Sequence, residues 1–166
     1  MKKLSLLLLS LLLLVLPLRA QPTIADVFGK MPLSLMPYLT LNNRLDLIDF
    51  VGANMEAKVT NLLGGQTRLK VLTADSLLLE LSPKTTVVLR LLPVAEAVDS
   101  AHHVVCMVTT LQFSAGIYEQ TARCFSLKWR ELDDGELPAD VAAILARYRR
   151  STLLEWDDER LSKKPI

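Results

Sequence analysis

The stretch from Glu56 to Arg130 constrains the fold of this chain more than any other feature. It is a succession of short apolar runs separated by turn chemistry: AKVTNLL, GG, QTRLKVLT, AD, SLLLEL, SPK, TTVVLRLL, PVAEAVDS, HHVVCMVTTLQF, SAG and IYEQTARCFSLKW. Runs of this length read as strands, and connections this short join antiparallel neighbours. Each strand has an apolar face that has to be covered. The expected fold is therefore α+β: an antiparallel meander of about five to seven strands with helices packed on one face.

Details of the sheet follow from the turn residues. Gly64-Gly65 predicts a two-residue hairpin between Asn61-Leu62-Leu63 and Arg68-Leu69-Lys70-Val71. The clusters Thr73–Ser76 and Ser82–Thr85 are turns of the Asx and proline kind. Leu77, Leu79 and Leu81 alternate, as do Val87, Leu89 and Leu91, while Lys84 and Arg90 are expected to point outward. Pro93 cannot donate to a ladder, so it marks a strand end, an edge or a bulge. Val94–Ser100 is then expected to be a connection before the longest strand, His103–Phe113.

Helical signals flank the sheet. Thr23 with Asp26 three residues on predicts a short capped helix ended by Gly29 and Pro32. A longer helix is expected from Asn42 or Asn43 as N-cap, with Leu41, Leu45, Ile48, Val51 and Met55 as its buried stripe, widened by Leu47 and Phe50. Asn43, Arg44, Asp46, Asp49 and Asn54 take the opposite, solvated face in that reading. After the turn at Asp133-Asp134-Gly135, Pro138 opens a third helix with Val141, Ile144, Leu145 and Tyr148 inward. STLLEW (151–156) is read as a final strand or edge addition, and Trp129 and Trp156 as core anchors or as part of a contact patch.

Met1-Lys2-Lys3, the leucine-rich run Leu4–Leu16, and the break at Pro17 before Ala20 have the layout of a secretory signal peptide. The run is short of the roughly 20 residues of a spanning helix. The expected organisation is a signal peptide at 1–20, one α+β domain at 21–156 and a loose tail at 157–166, with an uncleaved anchor as the alternative for the leader. The protein is expected to be exported, periplasmic or secreted, with no stable membrane span after cleavage. No cysteine stands near the cleavage point, so a lipid-anchored terminus is not expected. Residues 1–20 carry Lys2, Lys3 and Arg19, so removing them takes the formal charge from +1 to −2. A slightly acidic domain has no footprint for nucleic acid.

Cys106 and Cys124 are the two cysteines. If Ser114-Ala115-Gly116 closes a hairpin in which Phe113 pairs with Ile117, counting back places the two thiols directly opposite each other. In an oxidising compartment they are expected to form a disulfide, the alternative being two free thiols in the core. A one-residue slip would send them to opposite faces.

No motif assembles a catalytic or metal centre. His102 and His103 are adjacent, so in a strand they face opposite sides and cannot share a metal. Asp99-Ser100 with His102 is too local for a triad, and Gly64–Arg68 lacks the phosphate-loop pattern. Asp46 and Asp49 could pair only in a buried setting that splits their pKa values. No cofactor or metal is expected.

Three stretches, MPLSLMPYLTLNNRLDLIDFVGANMEAKVTN, LLPVAEAVDS and VVCMV, resemble a family of small exported Bacteroidetes proteins of unknown function. The likeness covers Met31 to Met107, less than half of the chain, with Pro37, Tyr38, Leu39, Asn43, Arg44, Leu45, Asp46, Pro93 and Val94 as recurring positions. It implies export and a coherent fold and brings no activity or ligand with it. Tyr38, Asn43, Arg44, Asp46 and Asp49 are the candidate surface positions. The reading that follows is a non-enzymatic binding module that engages another envelope protein or a small apolar ligand through a sheet face or edge. The alternative is a hydrolase-type enzyme in which Asp46, Asp49, Asp99 or His103 converge only in three dimensions.

Overall fold

The computed structural model describes residues 21–114 and 117–150. The expected leader, the loop tip at 115–116, the STLLEW segment with Trp156, and the tail lie outside the described residues. Strands β1 (Lys58–Thr60), β2 (Gln66–Leu72), β3 (Ser76–Ser82), β4 (Thr85–Val98), β5 (Ala101–Ser114) and β6 (Ile117–Ser126) form one antiparallel sheet in chain order. Helices α1 (Ile24–Gly29) and α2 (Leu41–Gly52) precede it, with a short 3-10 turn at Leu33–Leu35, and α3 (Ala139–Arg150) follows. This is the α+β meander expected. No helix among the described residues is long and apolar enough to cross a membrane.

Side chains alternate across the sheet, and both faces carry a core. On one face Leu69, Leu77, Leu79, Val87, Leu89, Leu91, Val105, Met107 and Phe125 meet Ile24, Val27 and Phe28 of α1 and Leu47 of α2. On the other, Val94, Val104, Cys106, Val108, Ala122 and Cys124 meet Leu132 and, from α3, Val141 and Leu145. The helices are thus shared between the faces, where the sequence reading gathered them on one. The reason lies in β4 to β6, whose long runs are apolar on both sides and leave a second face to cover.

Several local expectations change. The Gly64-Gly65 turn is part of a loop from Asn61 to Gly65, in which Asn61 Oδ1 accepts from the backbone N–H groups of Leu63 and Gly65 at 3.0 and 3.1 Å. Gly64 takes φ +76°, a left-handed conformation that suits glycine. Leu62 and Leu63 are therefore exposed loop residues and not strand. β4 runs through Pro93 to Val98, with an irregularity between Pro93 and Val98 of the kind that admits a proline. Asp99 and Ser100, both at positive φ, make the turn into β5. Arg90 lies across from Cys106 on the second face, half-buried rather than outward.

In the β5–β6 hairpin, Ser114 pairs with Ile117 and a bulge falls at Phe113, so Phe113 does not face Ile117 as counted. Register recovers at Gln112 and Tyr118 and sets Cys106 opposite Cys124. A disulfide joins them, with Cα atoms 4.3 Å apart. Trp129 is a core residue: its ring lies 5.4 Å from that of Phe125, and its Nε1–H donates to Val27 O at 3.1 Å. That bond fixes α1 to the loop after β6.

Candidate functional site

The site begins with the way α2 is capped and rolled. Its N-cap is Thr40, not Asn42 or Asn43. Thr40 Oγ1 accepts from the Asn43 backbone N–H at 3.1 Å, and Asn43 Oδ1 accepts from the Thr40 N–H at 3.2 Å. This reciprocal box satisfies donors that the first helical turn leaves unpaired. Asn43 is therefore a structural residue; its Nδ2 also reaches Thr60 O at 3.4 Å.

The helix is rolled relative to the expected stripe. Leu47 is fully buried and Arg44 is only 3% exposed, whereas Leu41 and Leu45 are 50% and 43% exposed. Met55, just beyond the helix, is exposed as well. An arginine thus points in while leucines point out. The sequence held a signal for this. Leu47, Ile48 and Val51 stand three, four and seven residues after Arg44, so the densest apolar arc passes over position 44.

Arg44 lies over the Phe28 ring, its guanidinium carbon 6.0 Å from the centroid. Its Nε and Nη1 are buried and have no hydrogen-bond partner. Burial pushes the guanidinium pKa below its ordinary value, yet arginine keeps its charge in proteins. Each buried donor left unpaired costs about 1–3 kcal/mol, and stacking over an aromatic face returns about 0.5–2 kcal/mol. The contact with Phe28 offsets only part of the burial.

Arg44 lines an open groove of about 650 Å³ between α1 and α2, together with Gly29, Met31, Leu41, Leu45 and Ile48, and with Asp26 and Lys30 beside them. The two helices are close here; a methyl group added to Gly29 would stand 3.5 Å from Leu45 Cδ2. Asp26 is engaged in the α1 capping box, accepting from Thr23 Oγ1 at 2.7 Å. The groove is in the size range of small-ligand sites, and its walls are mainly apolar with few polar groups.

The other candidate positions do not meet. Asp46 and Asp49 are exposed on α2, and Tyr38 is 48% exposed beside the β1–β2 loop, where its carbonyl accepts from Leu62 N–H at 2.9 Å. Asp99 sits at the β4–β5 turn, where both carboxylate oxygens accept from Arg130 at 3.3 Å. Arg130 also donates to Glu136 at 2.9 and 3.0 Å. Hydrogen bonds from Ser126 and then Arg130 hold the Asp99 carboxyl below its usual range. The Asp133 backbone N–H and Arg130 do the same for Glu136. His102 is exposed and His103 half-buried near the start of β5. No hydrogen bond joins Asp46, Asp49, Asp99 or His103 to another of the four among the described residues. Nor does any group of three His, Cys, Asp or Glu side chains there converge as a metal site.

Comparison with known proteins gives a family and a fold. The model of a family described as protein of unknown function (DUF3256) matches residues 16–159, well beyond the Met31–Met107 region of the resemblance. A solved structure of a domain of an uncharacterized protein from Porphyromonas gingivalis W83 is similar, with a TM-score of 0.54 and 23% identity. That likeness covers 66% of this chain and 53% of the other, so it spans about half of the neighbour and speaks for the fold alone. No curated protein matches.

Proposed function

The chain belongs to the DUF3256 family, and from that footing we propose that it is an exported, non-enzymatic binding module that takes a small apolar ligand in the groove between α1 and α2. The observation that carries this reading is the roll of α2. Leu41 and Leu45, one turn apart on the same helix face, are exposed at the lip of an apolar groove. A helix that only roofed the sheet would turn these leucines inward and Arg44 outward.

The binding surface in this proposal is the helical layer, not the sheet face or edge expected from sequence. Each sheet face already has a core against it. Export is supported by the leader-like residues 1–20 and by the Cys106–Cys124 bridge, since disulfides persist in oxidising compartments.

The test is titration of the purified chain with an uncharged environment-sensitive probe, N-phenyl-1-naphthylamine, beside the double variant Leu41→Ser/Leu45→Ser. The wild type should bind saturably, and the variant about tenfold more weakly, from the apolar area its exposed side chains no longer contribute. Equal binding by both would remove the groove as the site. Cell fractionation should place the protein outside the cytoplasm; retention inside would remove the exported reading.

A further inference from the structure

We infer that the groove between α1 and α2 is built for an aliphatic monocarboxylate, whose carboxylate is bound by Arg44 while its chain lies against Leu41, Leu45 and Ile48. This rests on the groove being a ligand site and adds the ligand's chemistry. Arg44 is a cation sealed into an apolar wall, with Nε and Nη1 lacking any acceptor. A guanidinium fits a carboxylate through paired N–H donors, and such charge-assisted bonds strengthen as water is excluded. Leu41 and Leu45 line the same groove and are exposed.

The charge balance selects a monoanion. Arg44 and Lys30 contribute two positive charges and Asp26 one negative, all lining the same groove. A phosphate monoester dianion would face the Asp26 carboxylate with too few donors. A peptide tail fits less well for a different reason. Most of the lining belongs to the two helices, whose backbone groups are largely bonded within each helix, so the amides of a bound peptide would find few partners.

The experiment is displacement of bound N-phenyl-1-naphthylamine at pH 8 by decanoate, decanol, decyl phosphate and a short leucine-ended peptide. The wild type, Arg44→Met and Leu41→Ser/Leu45→Ser are compared. Decanoate should displace the probe from the wild type at concentrations about tenfold lower than decanol, as expected for one charge-assisted interaction. Arg44→Met should lose that advantage, so that decanoate and decanol displace the probe from it at similar concentrations. If decanoate and decanol are equal in the wild type, the inference fails while the groove reading stands. If neither displaces the probe and the leucine variant is indifferent, the groove reading fails as well. Tighter binding of decyl phosphate, or of the peptide, overturns the assignment to an aliphatic monocarboxylate. Should Arg44→Met not fold, pH serves in its place on the wild type. The decanoate advantage should vanish below about pH 4–5 as the ligand protonates, with decanol as the control for other effects of pH on the protein. An advantage that persists there overturns the inference.

Discussion

Replacing Arg44 by methionine separates a structural arginine from a functional one, because the two roles predict opposite signs. Two buried donors without acceptors cost about 1–3 kcal/mol each, and the stacking on Phe28 recovers about 0.5–2 kcal/mol. Methionine removes both donors, fills much of the same space with a flexible apolar chain, and keeps a favourable sulfur–ring contact. The unliganded protein should gain about 1–3 kcal/mol. In urea titration this raises the midpoint by about 0.5–1.5 M at unchanged slope. Leu47→Ala, one turn on and fully buried, is the reference for an ordinary core position and should lose about 2–5 kcal/mol. Adding decanoate should stabilise the wild type by mass action more than it stabilises Arg44→Met, narrowing the gap. A midpoint for Arg44→Met more than about 0.5 M below the wild type would refute the reasoning. It would mean that the Phe28 contact outweighs the unpaired donors, and that the arginine holds α1 to α2 rather than waiting for an anion.

Other positions give sharper structural tests. Breaking the Cys106–Cys124 bridge, whose cysteines are 18 residues apart, should cost about 3 kcal/mol by loop entropy; thermal melts with and without reductant read it, and a double-serine variant should match the reduced wild type. Thr40→Ala removes one half of the α2 capping box and should cost about 1 kcal/mol in urea titration. The Asp99 and Glu136 carboxyls are both held below their ordinary values, so their contribution is present above the ordinary carboxylate range and is lost as pH falls through the lowered folded values. Amide protection in the segment from Arg130 to Glu136, taken relative to the intrinsic exchange rate at each pH, should fall on acidification. Arg130→Gln should flatten that pH dependence, and an unchanged profile would show that the ion pairs do not hold the segment.

Much of the sheet was legible because strand periodicity is a backbone property. Leu77 and Leu79 are buried in the same core as Val87, Leu89 and Leu91, as alternation requires. The cysteine register also emerged from counting, although through a bulge at Phe113 that the counting did not foresee. Three departures have separate causes. Leu62 and Leu63 look like strand residues, but the Asn61 side chain satisfies the loop backbone and leaves them outside the ladder. Pro93 suggested an end to β4, yet an irregularity absorbed it. In α2 the expected face holds at Leu47, Ile48, Phe50 and Val51 but fails at Leu41, Leu45 and Met55, which are exposed while Arg44 is buried. The first outcome is set by a side chain of the loop itself, the second by the pairing of β4 with β5, and the third by the core that α2 covers.

In the proposed reading, the inversion in α2 lets stability and binding share one short helix. The face that carries Leu47 closes the core above the sheet, so substitutions there should be felt as unfolding. The face that carries Leu41 and Leu45 contributes little to that core and lies open at the groove. Arg44 stands at the boundary, covered like a core residue and charged like a surface one. A protein selected only for stability would replace such a residue with an apolar one, since fully apolar packing removes the desolvation penalty. Keeping an unpaired cation in that place makes sense when a bound anion completes it. Assigning the groove to binding therefore rests less on its volume than on the cost of leaving Arg44 as it is.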